Sequence, residues 1–136
     1  MATQKIINDI AYAIVGCAIE VHKHLGPGLL ESIYKPCIIQ ELKSKGLKVA
    51  SEIHVPVFYK GEDLGGILKL DLLIENIVIV ELKAVDILHP VYKAQLLSYL
   101  KLTGKPKGLL INFHSENIKD HLIPLVTEEF SKLPKY

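Results

Sequence analysis

Apolar residues near the start of the chain recur at alternating three- and four-residue steps. Ile7, Ile10, Ile14, Cys17 and Val21 make one stripe, which predicts an amphipathic helix from about Gln4 to His24. Gly26-Pro27-Gly28 stops it, and a second helix is predicted from about Leu29 to Lys45, ending at Gly46. A strand follows over about Leu47 to Tyr59, edged at Pro56 and turning at Lys60-Gly61-Glu62. Leu70 to Ile74 and Ile77 to Lys83 read as the two strands of a tight hairpin that turns at Glu75-Asn76. Pro90 suits the first turn of a third helix, which ends near Thr103-Gly104. Gly108 to Asn112 is a further strand, a short one follows at about His121 to Val126, and Thr127 to Lys132 closes as a helical turn. The order ααβββαβ predicts one α/β (α+β) domain over residues 1–136, without repeats, linkers or low-complexity segments.

The hairpin carries the chemistry. Side chains alternate across a strand, so Glu81 and Lys83 share one face. A three- or five-residue loop centred on Asn76 puts Asp71 opposite Glu81 and collects Leu70, Leu72, Val78, Val80 and Leu82 on the other face. Two acids and a lysine then stand above a floor of Leu73 and Ile79. Buried charges are rare unless paired or ligating. Converging carboxylates repel, and a hard divalent cation such as Mg²⁺ relieves this by ligating both, while polarising phosphoryl oxygens and lowering the pKa of a bound water. A lysine aimed the same way can hold that water or stabilise charge growing on phosphorus. A cross-strand acid–lysine pair on a half-exposed sheet is the plainer alternative.

Asp71 with Glu81-Leu82-Lys83 on a hairpin resembles the signature of the PD-(D/E)XK nuclease superfamily. Gly28-Leu29-Leu30-Glu31-Ser32-Ile33-Tyr34 resembles the motif of its GxxExxY family, as do Val21 to Gly28, Tyr59-Lys60-Gly61, Gln95 to Gly104 and Gly108 to Phe113. The resemblance covers roughly residues 8 to 126. It implies a restriction-endonuclease-like core with a mixed central sheet flanked by helices. It further implies Mg²⁺ or Mn²⁺ held by Asp71, Glu81, the Leu82 backbone carbonyl and Glu31, the last directly or through water. Lys83 would act on water and transition-state charge, and Gln95 would support the metal site. Tyr99, four residues on and on the same helix face, would approach nucleic acid (DNA or RNA). Tyr34 and Lys101 are further candidate contacts, although a helical tyrosine is usually packed with its hydroxyl at a rim.

Composition narrows the setting. At 136 residues and 49% apolar the chain can bury a real core and is not disordered. Sixteen basic against fifteen acidic residues give little long-range steering, so phosphate contacts must be local. Cys17 and Cys37 lie in helical patterns without metal-ligand spacing and read as buried reduced thiols. Ile10 to Ile19 imitates a secretory signal, but Glu20 follows with no clear cleavage site, and no stretch is long enough to span a membrane; a cytoplasmic protein is expected. His22 and His24 point to different helix faces, His89 reads as a cap of the third helix or a rim of the cleft, and Lys101, Lys105 and Lys107 form a small basic cluster. Pro36 falls inside the second helix, where it removes the bond to the Ser32 carbonyl and is expected to bend the helix close to Glu31 and Tyr34.

Two functions follow. One is a metal-dependent nuclease that hydrolyses phosphodiester bonds. The other is a catalytically weak or inactive module with the nuclease fold, acting in binding or assembly with a protein partner or a second copy. The intact Asp71, Glu81 and Lys83 set favours the first, because a retired site has no reason to keep costly converging charges.

Overall fold

A computed structural model describes residues 2–136. Two helices come first, α1 (Gln4–Leu25) and α2 (Glu31–Ser44), followed by three strands, β1 (Val49–Tyr59), β2 (Glu62–Ile74) and β3 (Val78–Lys83). Helix α3 (Pro90–Thr103) crosses to β4 (Lys107–Asn112), and β5 (Leu122–Val126) and α4 (Glu128–Ser131) finish the chain. The strands form one sheet in the order β1-β2-β3-β4-β5, with β3 and β4 parallel and the other pairs antiparallel. The expected ααβββαβ order is present, with β5 and α4 appended where a short strand and a helical turn were predicted.

Each face of the sheet has its own core. The α1 stripe (Ile7, Ile10, Ile14, Cys17, Val21) and Tyr34, Ile38 and Leu42 of α2 pack on Leu72, Ile74, Val78, Val80, Leu82, Leu109 and Ile111. On the other face Leu96 and Leu100 of α3 cover Leu70, Leu73, Ile79 and Leu110. Local signals set the ends of α3: the His89 ring accepts from the Val91 amide at its start, and Gly104 takes a left-handed φ of 70° at its end.

Three expectations need correction. Leu70 packs with the α3 layer and not with Leu72. The ladder between β1 and β2 skips the pair Glu52 and Asp71, and Glu52 turns to a positive φ of 51°, so regular alternation breaks there. Strand β2 also starts at Glu62, well before Leu70, because Glu62-Asp63 and Ile67 to Lys69 pair with β1 on either side of a register shift and extend the hairpin beyond the rest of the sheet. Cys37 is only half-buried, while Cys17 is buried. Pro36 lies inside α2 as expected, exposed, and α2 runs through it without a break in the helix.

Candidate active site

The loop between β2 and β3 has three residues, Glu75, Asn76 and Ile77, with Ile74 paired to Val78 and Leu72 to Val80. This odd loop puts Asp71 and Glu81 opposite each other, but the backbone ladder ends one pair short of them. Side chains take over: the Asp71 amide donates to Glu81 Oε2 at 2.8 Å, and the Leu82 amide donates to Asp71 Oδ2 at 2.9 Å. Where the strands cease to pair, a cleft of about 300 Å³ opens, lined by Glu31, Lys35, Glu52, Lys69, Asp71, Glu81, Lys83, Gln95 and Tyr99. That volume holds a phosphodiester group and a few waters, at roughly 30 Å³ per water. Helices from both faces of the sheet reach it, α2 through Glu31 and Lys35 and α3 through Gln95 and Tyr99.

Glu31 is brought there by its own motif. Gly28 has a φ of 98°, a region that side chains rarely allow, and this turns the chain into α2, whose first residue is Glu31. Tyr34 locks that turn. Its hydroxyl donates to the Gly26 carbonyl at 2.5 Å and accepts from the Leu29 amide at 3.2 Å, while its ring stacks on Phe113 with centroids 4.4 Å apart. Tyr34 is fully buried. It is therefore no nucleic-acid contact: the same spacing that aims Glu31 at the cleft sends Tyr34 into the core. His22 likewise does structural work, its Nε2 donating to the Ser115 carbonyl at 2.6 Å.

The basic cluster is also placed elsewhere. Lys101 lines a separate groove with Leu97, Gly104, Thr127 and Glu128, Lys105 binds the Asn76 carbonyl at 2.9 Å, and Lys107 binds Asn8 Oδ1 at 3.1 Å. None of the three lines the cleft, because the C-terminal end of α3 and the start of β4 lie at the opposite end from Glu81 and Lys83.

Electrostatics mark Glu81. Burial drives its carboxyl up to about 7; the bond from the Asp71 amide and the Lys83 charge oppose this, and the charges of Asp71 and Glu31 add to it. Glu31 is raised as well, by burial first and then by Asp71. Tyr99 is raised by burial and by the Glu81 charge, which couples its hydroxyl to the acids. Lys83 stands over the Tyr92 ring, with Nζ 4.5 Å from the centroid, so a cation–π contact holds it at the rim.

Hard oxygen donors under mutual repulsion suit a divalent cation. Even so, among the described residues no three His, Cys, Asp or Glu side chains gather closely enough to hold a metal ion. The expected set of Asp71, Glu81 and Glu31 thus lines one cleft without forming a ready cage. Like charges stay apart, and Lys35 takes the place beside Asp71, its Nζ 2.5 Å from Oδ1. A magnesium ion commonly needs only one or two carboxylates and draws its remaining ligands from water and phosphate, so the residues present fit such an ion.

Sequence reasoning missed Lys35, Glu52, Lys69 and Tyr92. Lys35 was within reach, since it lies four residues after Glu31 and so on the same helix face. Glu52 and Lys69 depend on how β1 pairs with β2, which no local pattern reveals.

A mixed five-stranded sheet with helices on both faces and an acidic, lysine-edged cleft where two strands part is the architecture of a restriction-endonuclease-like domain. The model of the PD-(D/E)XK nuclease superfamily matches residues 8–123, and the chain belongs to that superfamily. Its members generally use divalent metals and act on nucleic acid. Searches of curated proteins and of solved structures gave no match. No helix among the described residues is long and apolar enough to cross a membrane.

Proposed function

We propose that this chain is a divalent-cation-dependent nuclease of the GxxExxY type that hydrolyses phosphodiester bonds of DNA or RNA. The observation that carries this reading is the convergence of Asp71, Glu81, Lys83, Gln95 and Glu31 on one cleft, with Glu81 driven up to about 7 by burial and the neighbouring acids. Asp71 and Glu81 would hold Mg²⁺ or Mn²⁺ together with the Leu82 carbonyl, and Glu31 would complete the shell through water. When bound, the cation supplies Lewis-acid polarisation of the phosphate and a more acidic water.

The remaining work belongs to the chain. Lys83, steadied by Tyr92, holds the attacking water or balances charge on the phosphoryl oxygens. Gln95 orients the acids from the exposed side of α3, and Tyr99 offers a half-buried ring and hydroxyl to the nucleic acid. The mutual hydrogen bonds between Asp71 and the Glu81-Leu82 segment keep both carboxylates aimed before substrate arrives.

Purified protein with Mg²⁺ or Mn²⁺ and a panel of single-stranded, duplex and branched DNA and RNA tests this directly. Cutting of at least one substrate, abolished by chelator and by Glu81→Gln, is the expected result. Cutting that survives Glu81→Gln at full rate overturns the assignment. Binding without cutting across the panel would instead favour a module that binds nucleic acid and leaves it intact.

A further inference from the structure

The cleft contains an ion-pair chain built on Asp71 whose other members, Lys35, Glu52 and Lys69, the nuclease reading does not use. Lys35 Nζ lies 2.5 Å from Asp71 Oδ1 and 3.5 Å from Glu52 Oε1, and Lys69 Nζ lies 3.8 Å from the same Glu52 oxygen. The Lys35 and Asp71 side chains are only 17% and 12% exposed, so this contact is shielded from the solvent that weakens surface pairs. Glu52 is 59% exposed and sits on a strand with a left-handed backbone, at the position where the β1–β2 ladder skips a pair. A non-glycine residue in that conformation is strained, and such strain gathers where geometry serves function.

We infer that Lys35 is a positioning residue that stands in for the divalent cation at Asp71, and that Glu52 is the acceptor to which it withdraws when the cation binds. The inference rests on the proposed role of Asp71 as a ligand. Asp71 Oδ2 is committed to the Leu82 amide, which leaves Oδ1 as the oxygen that a cation would take. Lys35 already occupies that oxygen. A divalent ion ligated about 2.1 Å from the oxygen and an ammonium 2.5 Å from the same oxygen would stand in direct repulsion, so the two exclude each other. Lys35 has a second acceptor within a short swing, because Glu52 is already 3.5 Å from its Nζ. The arrangement keeps Asp71 aimed while no ion is present. It also makes cation binding a competition, which weakens it until the lysine is drawn away.

The consequence is a pair of opposite effects from two neighbouring residues. Removing the competitor should tighten metal binding, and removing its resting place should weaken it. Mn²⁺ titrations by calorimetry, without nucleic acid, measure this on wild type, Lys35→Met, Glu52→Gln, the double variant, and Lys69→Met and Asp71→Asn as controls.

Lys35→Met should bind Mn²⁺ about tenfold more tightly than wild type, the ordinary size of a coupling between two binding events. Glu52→Gln should bind about twofold to fivefold more weakly, as suits a partly exposed partner. In the Lys35→Met background, Glu52→Gln should have no such weakening effect. Equal or weaker binding in Lys35→Met overturns the inference and leaves Asp71 standing as a ligand. An equal gain in Lys69→Met also overturns it, because the cleft's overall charge would then be the cause. Equal heats from wild type and Asp71→Asn, or no heat from any variant, overturn the reading of the metal site itself and the inference with it.

Discussion

Asp71 and Glu81 are joined through each other's backbone. The Asp71 amide donates to the Glu81 carboxylate at 2.8 Å, and the Asp71 carboxylate accepts from Leu82, the next residue after Glu81, at 2.9 Å. Two acids that repel are thereby held side by side at the point where their strands stop pairing. Each carboxylate gives one oxygen to an amide, so the pair is fixed relative to both strands before any ligand arrives. The energetic cost falls mainly on Glu81, the more buried of the two.

That cost has a definite pH dependence. Glu81 titrates near 7 when folded, above its ordinary value of 4.5, because of burial and the charges of Asp71 and Glu31, with the Asp71 amide bond and Lys83 opposing. The folded state therefore holds this proton more tightly than the unfolded state. The stabilisation is full below the unfolded value and is lost as pH rises through about 7. Glu81→Gln keeps an acceptor for the Asp71 amide and removes the charge. In chelator at pH 8 the variant should be more stable than wild type by roughly 1–3 kcal/mol, and the gap should close towards pH 5. Urea denaturation across that range is the check, and a gap of constant size would remove Glu81 as its source.

Lys83 should matter for rate and not for folding or metal. It is half-exposed, and its Nζ contact is with the Tyr92 ring. Lys83→Ala is expected to reduce cleavage by about 10²–10³-fold, the usual effect of losing one group that stabilises transition-state charge. Melting temperature and Mn²⁺ affinity should stay close to wild type. Full-rate cleavage in the variant would exclude Lys83 from the chemistry.

Tyr34 should behave in the opposite way. Tyr34→Phe keeps the stack on Phe113 but strands the Gly26 carbonyl and the Leu29 amide, which both rely on the hydroxyl. Roughly 0.5–1.5 kcal/mol of stability should be lost, the net worth of a hydrogen bond whose partners, the half-buried Gly26 and the exposed Leu29, can turn to water. Equilibrium unfolding measures this. Nucleic-acid affinity, read by fluorescence anisotropy at a temperature where the variant is folded, should be unchanged. A loss of affinity with unaltered stability would return Tyr34 to the binding surface.

The sequence by itself determined whatever neighbouring residues along the chain dictate. The α1 stripe, the start of α3 at Pro90 and its end at Gly104, and an odd loop that brings Asp71, Glu81 and Lys83 to one face follow from periodicity and turn chemistry, which act over a few residues. Tertiary structure decided which distant elements meet. Glu31 and Tyr34 share a helix face in the sequence, yet packing sends one to the cleft and the other against Phe113. Lys35 and Glu52 enter the cleft because α2 docks beside a break in the β1–β2 ladder, and that same break carries Leu70 to the α3 layer. Lys101, Lys105 and Lys107 cluster in the sequence but turn to other partners at the far end of α3. Periodicity states which side of an element is polar. Only the close packing of helices on both faces of the sheet states what that polar side will face.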